Sequence, residues 1–331
     1  TEIYTLSLHD ALPISAIVSV PPYHIAGISA ALSSTYSGRR VVYLEAFEPE
    51  AWVEVVRREQ VSHAMVVPTM LNRILDVVER DGEGLPSIRA LSYGGGPMPL
   101  AVIERAMALL PDAGFVNAYG LTETSSTIAL LGPDDHRTAF ASDDPTVRGR
   151  LASVGRPLPS VEVTIRDPLG REVAPGERGE VWVRGEQVSG EYLGREGGDD
   201  DGWFKTRDAG QIDDDGFLYV HGRLDDVIVR GGENISPGEI EDALLSHPGV
   251  AAVAVVGIPD TEWGEKVVAV VVPAAGAEVD ESELRDHVRG LLRSTRTPQH
   301  IEVRAELPFN ETGKLLRRVL RDELTDRYGT A

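Results

Sequence analysis

Between Val41 and Asn117, short apolar runs alternate with segments of helical periodicity, and this alternation constrains the fold more than any other feature of the chain. Residues 41–44, 64–67, 88–93 and 114–117 read as strands, and 50–59, 70–79 and 99–110 as helices. In the second helix Leu71, Ile74, Leu75 and Val78 fall on one face, the spacing of an amphipathic helix. Strands alternating with helices predict a parallel sheet built through right-handed crossovers. Ligands of such sheets collect beyond the C-terminal ends of the strands. Two glycine-containing segments lie there, Gly94, Gly95 and Gly96, and then Gly120 to Glu123.

The pattern changes after about Gly149. Residues 160–166, 179–184 and 216–220 look like short strands parted by Gly, Pro and Asp turns, which predicts an antiparallel, β-rich unit. A third unit starts near Asp225. Ser236, Pro237, Gly238 and Glu239 form a capping-box sequence that predicts a helix running to Leu245. Strands follow at 250–256, 266–272 and 301–304, with helices at 280–292 and 314–327. The expected architecture is α/β: a partial parallel α/β subdomain (16–149) and a β-rich subdomain (150–224), then a small mobile α+β C-terminal domain (225–331). A chain of 331 residues is long enough for each to bury its own core.

Composition removes several classes of function. With 53 acidic against 32 basic residues the formal charge is −21, which argues against nucleic acid and anionic membrane surfaces as partners. Without cysteine, thiolate zinc sites, disulfide frameworks and cysteine nucleophiles are excluded, and a cytoplasmic enzyme using other groups fits. Residues 16–32 are apolar but broken by Pro21, Pro22 and His24, so no membrane span is expected. Only Lys205, Lys266 and Lys314 can supply an ammonium. Residues 5–14 match the translation of a sequencing-library adapter, so 1–15 are set aside from the fold and the gene is expected to be truncated.

Asn117, Tyr119, Thr122 and Glu123 place an amide, an aromatic ring, a hydroxyl and a carboxylate within one short segment after a strand. An amide can read a purine edge, a ring can stack on it, a hydroxyl can meet phosphate and a carboxylate can hold Mg²⁺. A turn capped by threonine explains the same residues equally well. The segment is followed in order by Phe204-Lys205-Thr206-Arg207-Asp208, Gly222-Arg223-Leu224-Asp225-Asp226, Gly231-Gly232-Glu233-Asn234 and Asn310-Glu311-Thr312-Gly313-Lys314.

This ordered series resembles the core motifs of the adenylate-forming superfamily of acyl-CoA synthetases, peptide-synthetase adenylation domains and firefly luciferases, in an N-terminally truncated member. The resemblance implies that Asn117 meets the adenine amino group, Tyr119 stacks near the ring, Thr122 contacts the α-phosphate and Glu123 helps bind Mg²⁺. It implies that Gly94, Gly95 and Gly96 line the adenine and acyl pocket with His24, and that Asp208 and Arg223 hold the ribose hydroxyls. Lys314 would bridge the substrate carboxylate and the α-phosphate, where a positioned cation offsets transition-state charge. Asp225 matches the hinge about which the small domain turns between half-reactions, and Gly231 and Gly232 match the glycines beside the CoA tunnel.

In two places the sequence departs from the family pattern. The usual Thr-Gly-Asp reads Thr206-Arg207-Asp208, and the Ser/Thr/Gly-rich phosphate loop expected before His24 is not seen. The implied reaction joins an organic acid, fatty or aromatic, to AMP with ATP and Mg²⁺, and then to CoA. Two alternatives are an acyl-AMP ligase that loads an acyl carrier protein and a non-catalytic fragment.

Overall fold

The computed structural model describes residues 14–20, 25–188, 201–310 and 314–329. Strand β1 (Ser15–Val18) is followed by α1 (Ile25–Tyr36), β2 (Arg40–Tyr43), α2 (Pro49–Glu59), β3 (His63–Val66), α3 (Pro68–Asp81), β4 (Ala90–Gly94), α4 (Leu100–Leu109) and β5 (Gly114–Leu121). Prolines open α2 and α3, where the missing amide costs nothing and φ is already helical. An αL Gly82 ends α3. These strands pair in parallel in the order β2-β1-β3-β4-β5. The strand β1 starts inside the segment set aside above: Ser15 is buried and its amide donates to Ser62 Oγ at 3.0 Å.

The parallel pattern stops at β5. The chain reverses through a 3-10 turn at Thr122–Thr124 into β6 (Ser126–Leu131), which runs antiparallel to β5. So short a connection cannot make a parallel crossover. Helices α5 (Pro133–Phe140) and α6 (Pro145–Gly149) lead to β7 (Arg156–Pro157), the last strand of this sheet. Trp52, Leu71, Ile74, Leu91, Tyr93, Ile103 and Phe115 build its core.

The second sheet is antiparallel throughout: β8 (Val161–Arg166), β9 (Gly179–Gly185), β10 (Phe204–Ile212) and β11 (Leu218–Arg223) in the order β11-β10-β9-β8. Between Lys205 and Ala209 the register of β10 against β9 slips, and Arg207 sits there at φ 62°. This bulge re-aims the side chains around Asp208.

The third sheet holds β12 (Ile228–Arg230), β13 (Glu233–Ile235), β14 (Val250–Asp260), β15 (Gly264–Pro273) and β16 (His300–Val303), with α7 (Pro237–Leu245), α8 (Glu281–Leu291) and α9 (Arg317–Tyr328) around it. Both faces of β14 and β15 are covered: Val253, Val255, Val267, Ala269 and Val271 pack towards α7 and α8, and Ala254, Val256, Ile258, Val268 and Val270 towards α9. Double burial explains why these strands read as unbroken valine-rich runs rather than alternating ones.

Two local expectations fail. Ser236 does not cap α7, because its hydroxyl donates to the His221 carbonyl of β11 at 2.8 Å. Glu239 turns to Arg296 instead of the cap amide, with 3.2 Å between them. The final helix starts at Arg317, so Lys314 precedes it rather than opening it.

Candidate active site

Strands β4 and β5 end side by side, with Gly94 opposite Ala118. The three glycines there do different work. A side chain on Gly94 would collide with the Ala118 carbonyl oxygen, so its absence serves strand packing. Gly95 has φ 82°, which L side chains rarely adopt. Only Gly96 faces open space. Of the three glycines expected to line the pocket, Gly96 is thus the one where a side chain would meet neither backbone nor strain.

Asn117 is buried and its Nδ2 donates to the Ser153 carbonyl at 3.1 Å. That bond orients the amide and leaves Oδ1, an acceptor suited to an exocyclic amine, on the other side. In the following turn, Thr124 does the capping: its Oγ1 accepts from the Leu121 amide at 2.9 Å and donates to the Leu121 carbonyl at 3.0 Å. Thr122 is exposed. The capping role therefore falls to Thr124 and leaves the Thr122 side chain open to solvent.

Tyr119 ties this strand to the second sheet. Its hydroxyl donates to Asp208 Oδ2 at 2.5 Å. The other oxygen of Asp208 accepts from Arg223 Nη1 at 3.1 Å, and Arg223 also holds the Thr206 carbonyl at 3.0 Å. Asp208 is only 5% exposed. Burial pushes its carboxyl above the usual range, opposed by the Tyr119 hydrogen bond and by the charges of Arg223 and Lys314. Burial, with the Asp208 charge adding to it, raises the Tyr119 phenol well above its ordinary value. Each carboxylate oxygen keeps a lone pair for a further donor, so Asp208 can still accept from a vicinal diol.

Lys314 joins the group from the small domain. Its ammonium is near enough for its charge to act on Asp208. Its backbone is tied to Asn310: the Lys314 amide donates to Asn310 Oδ1 at 2.8 Å and the Asn310 amide to the Lys314 carbonyl at 2.9 Å. Behind it, Arg317 is clamped by Glu241 at 2.6 and 2.8 Å and donates to the Val255 carbonyl at 2.7 Å. This anchor was not evident from the sequence, where Arg317 is one arginine among many.

Asp225 lies in a 3-10 turn at Leu224–Asp226, between β11 and β12. Gly231 and Gly232 form the turn from β12 to β13 at φ 57° and 80°. A Cβ on Gly231 would come within 2.9 Å of the Trp263 ring, whereas Gly232 faces open space. His24 lies outside the described residues, as do Glu311, Thr312 and Gly313. Among the described residues no group of three His, Asp or Glu side chains could hold a metal unaided.

Residues 6–193 match the family model of the AMP-binding enzyme, and residues 239–314 match that of the AMP-binding enzyme C-terminal domain. A 2-succinylbenzoate–CoA ligase of Bacillus licheniformis is 40% identical over 309 residues, covering 92% of this chain and 60% of the relative. A fatty acid–[acyl-carrier-protein] ligase of Streptomyces coeruleorubidus, ScoC, is 36% identical over 93% of this chain and 58% of its own length. Among solved structures, the amide bond synthetase McbA of Marinactinospora thermotolerans superposes with a TM-score of 0.83 at 33% identity, over 95% of this chain and 63% of that one. The chain thus spans about 60% of the length of the curated relatives it matches.

Proposed function

The chain belongs to the AMP-binding enzyme family, and from that premise we propose that the protein activates a carboxylic acid with ATP and passes the acyl group to CoA. In the first step a carboxylate oxygen attacks the α-phosphorus of ATP, giving acyl-AMP and expelling pyrophosphate. In the second the CoA thiol attacks the acyl carbon, giving a thioester and releasing AMP. The observation that carries this reading is the buried Asp208, bonded by Tyr119 and Arg223, with Lys314 of the small domain close enough for its charge to act on it.

Both partners of the first step are anions, and a placed ammonium offsets their repulsion and the charge that develops on the phosphoryl oxygens. Asp208 and Arg223 would hold the ribose, with Tyr119 fixed against Asp208 to flank the base. Asn117 Oδ1 would accept from the adenine amino group, and the exposed Thr122 would donate to the α-phosphate. Mg²⁺ at Glu123 would neutralise phosphate charge. His24 is assigned to the acyl pocket with Gly96, and Gly231 and Gly232 to the path of the thiol.

Relatives that take 2-succinylbenzoate and a fatty acid favour an acid with a sizeable apolar part. A cytoplasmic location, where ATP and CoA are supplied, goes with this reading. The relative that loads a carrier protein makes an acyl carrier protein the second candidate acceptor. In the full-length protein, acid-dependent exchange of pyrophosphate into ATP tests the first step. AMP release that requires CoA tests the acceptor; release with a carrier protein but not with CoA would overturn that half of the proposal.

A further inference from the structure

The position where the family pattern has glycine carries Arg207, and its backbone lies in the left-handed region at φ 62°. Glycine is unstrained there and arginine is not. The side chain that replaces it reaches out of the β10 bulge and forms an ion pair with Asp225, in the turn between the two domains. The next residue, Asp226, faces the other way, 3.7 Å from Arg317 of α9. Two adjacent acids are thus tied to opposite sides of the turn, one to the second sheet and one to the small domain. The Arg207 guanidinium holds the Asp225 carboxyl below its usual range, and Asp225 in turn raises the Arg207 guanidinium above its own.

We propose that the Arg207–Asp225 pair is a latch that favours the domain pose seen here, and that it opens when the small domain turns away. This rests on the reading above that the domain turns at Asp225 between half-reactions. A contact made in one pose and not in the other shifts their balance by the difference in its strength. Both partners are more than half exposed, at 58% and 59%, so the shift is small and sensitive to salt. Glu180, whose Oε1 accepts from the Arg207 amide at 3.2 Å, and Arg223, close to Asp225, extend the row of alternating charge and hold the latch in register. Arg207 acts here as a positioning residue, since it reaches the site only through the turn.

The present stretch of chain has no cysteine, so spin labels at Asp214→Cys and Asp322→Cys, both exposed positions, report the distance between the second sheet and the small domain. In the full-length protein without nucleotide, Arg207→Gly is expected to lower the ratio of this pose to all others by about threefold to fivefold. Raising NaCl to about 0.5 M should do the same to the parent protein and leave Arg207→Gly unmoved. Arg207→Lys, and the exchange Arg207→Asp with Asp225→Arg, should restore much of the ratio. An unchanged distance distribution in Arg207→Gly, or an equal salt response in parent and variant, overturns the latch. The rates of the two half-reactions decide the other question. If the distances move as expected while acyl-AMP formation and thioester formation both stay constant, the latch stands and the proposed role of the domain rotation falls.

Discussion

The charge of Lys314 acts on Asp208 across the candidate site, but the two are held by different kinds of structure. Asp208 lies within a four-stranded antiparallel sheet, buried, with Tyr119 and Arg223 bonded to its two oxygens. Lys314 stands exposed, its amide bonded to Asn310, on a domain joined to the rest through the turn at Asp225. Groups that must bind the same part of the nucleotide throughout can be set in a sheet. A group needed in one step only can ride on a part that leaves. The contrast predicts that damage to the loop-borne half separates the half-reactions, whereas damage to the sheet-borne half impairs both.

Lys314→Ala is expected to have the largest effect. Acyl-AMP formation in the full-length protein should fall by roughly 10²–10³, the cost of losing one well-placed charged donor. The thioester step started from synthetic acyl-AMP should be largely spared. Equal losses in single-turnover assays of both steps would remove the distinction between the two halves.

Glu241→Ala tests how the loop is supported. It leaves the largely buried Arg317 with only the more distant Asp226 as a carboxylate partner, which costs roughly 3 kcal/mol. Denaturant melts should show that loss in the transition of the small domain, with acyl-AMP formation weakened even though Lys314 is intact. A melt that matches the parent would mean that Arg317 is not the anchor.

Asp225→Pro sharpens the comparison from the turn itself. Proline fixes φ near −65° and removes the carboxylate that Arg207 holds; where the ring's rigidity outweighs that loss and locks the adenylating pose, the variant should still make acyl-AMP but pass it to CoA slowly. Normal overall turnover would move the pivot elsewhere.

A smaller effect is expected from pH at the contact between the two domains. Burial, with repulsion from Arg178 and against the pull of Glu239, pushes His221 down to about 4. The folded value lies below the ordinary one of about 6.5, so the fold favours the neutral ring. Its contribution is fully present above about 6.5 and is lost as the pH falls through about 4. Thermal melts of the parent should therefore decline over that window more steeply than those of His221→Gln. Parallel profiles would show that the ring is not responsible.

Much of this fold was readable from local pattern. Strands and helices between β2 and β5 lie within a few residues of where periodicity puts them, because each is set by its own neighbours in the chain. The valine-rich β14 and β15 announce themselves in the same way. Strand β1 and helix α1 carry no such signal, because residues 16–32 form one apolar run interrupted by prolines, with no clear period. The antiparallel turn into β6 was missed because a turn of Thr, Glu and Thr looks like the first turn of a helix.

By itself, the sequence determined the alternating architecture, the doubly buried strands of the small domain and the chemical types of the site: an amide, a phenol, two carboxylates, an arginine and a lysine. Only the tertiary structure decided which member of each set is available for chemistry. Gly94 is spent on the neighbouring strand and Gly96 is open; Thr124 caps the turn and Thr122 faces out; the Ser236 hydroxyl serves β11 instead of its own helix. The same division separates Asp225, paired to the second sheet, from Asp226, paired to the small domain. Secondary structure follows from residues adjacent in the chain, so it can be read along it. What a polar side chain bonds to depends on which distant strand the fold brings beside it, as with Tyr119 and Asp208, 89 positions apart.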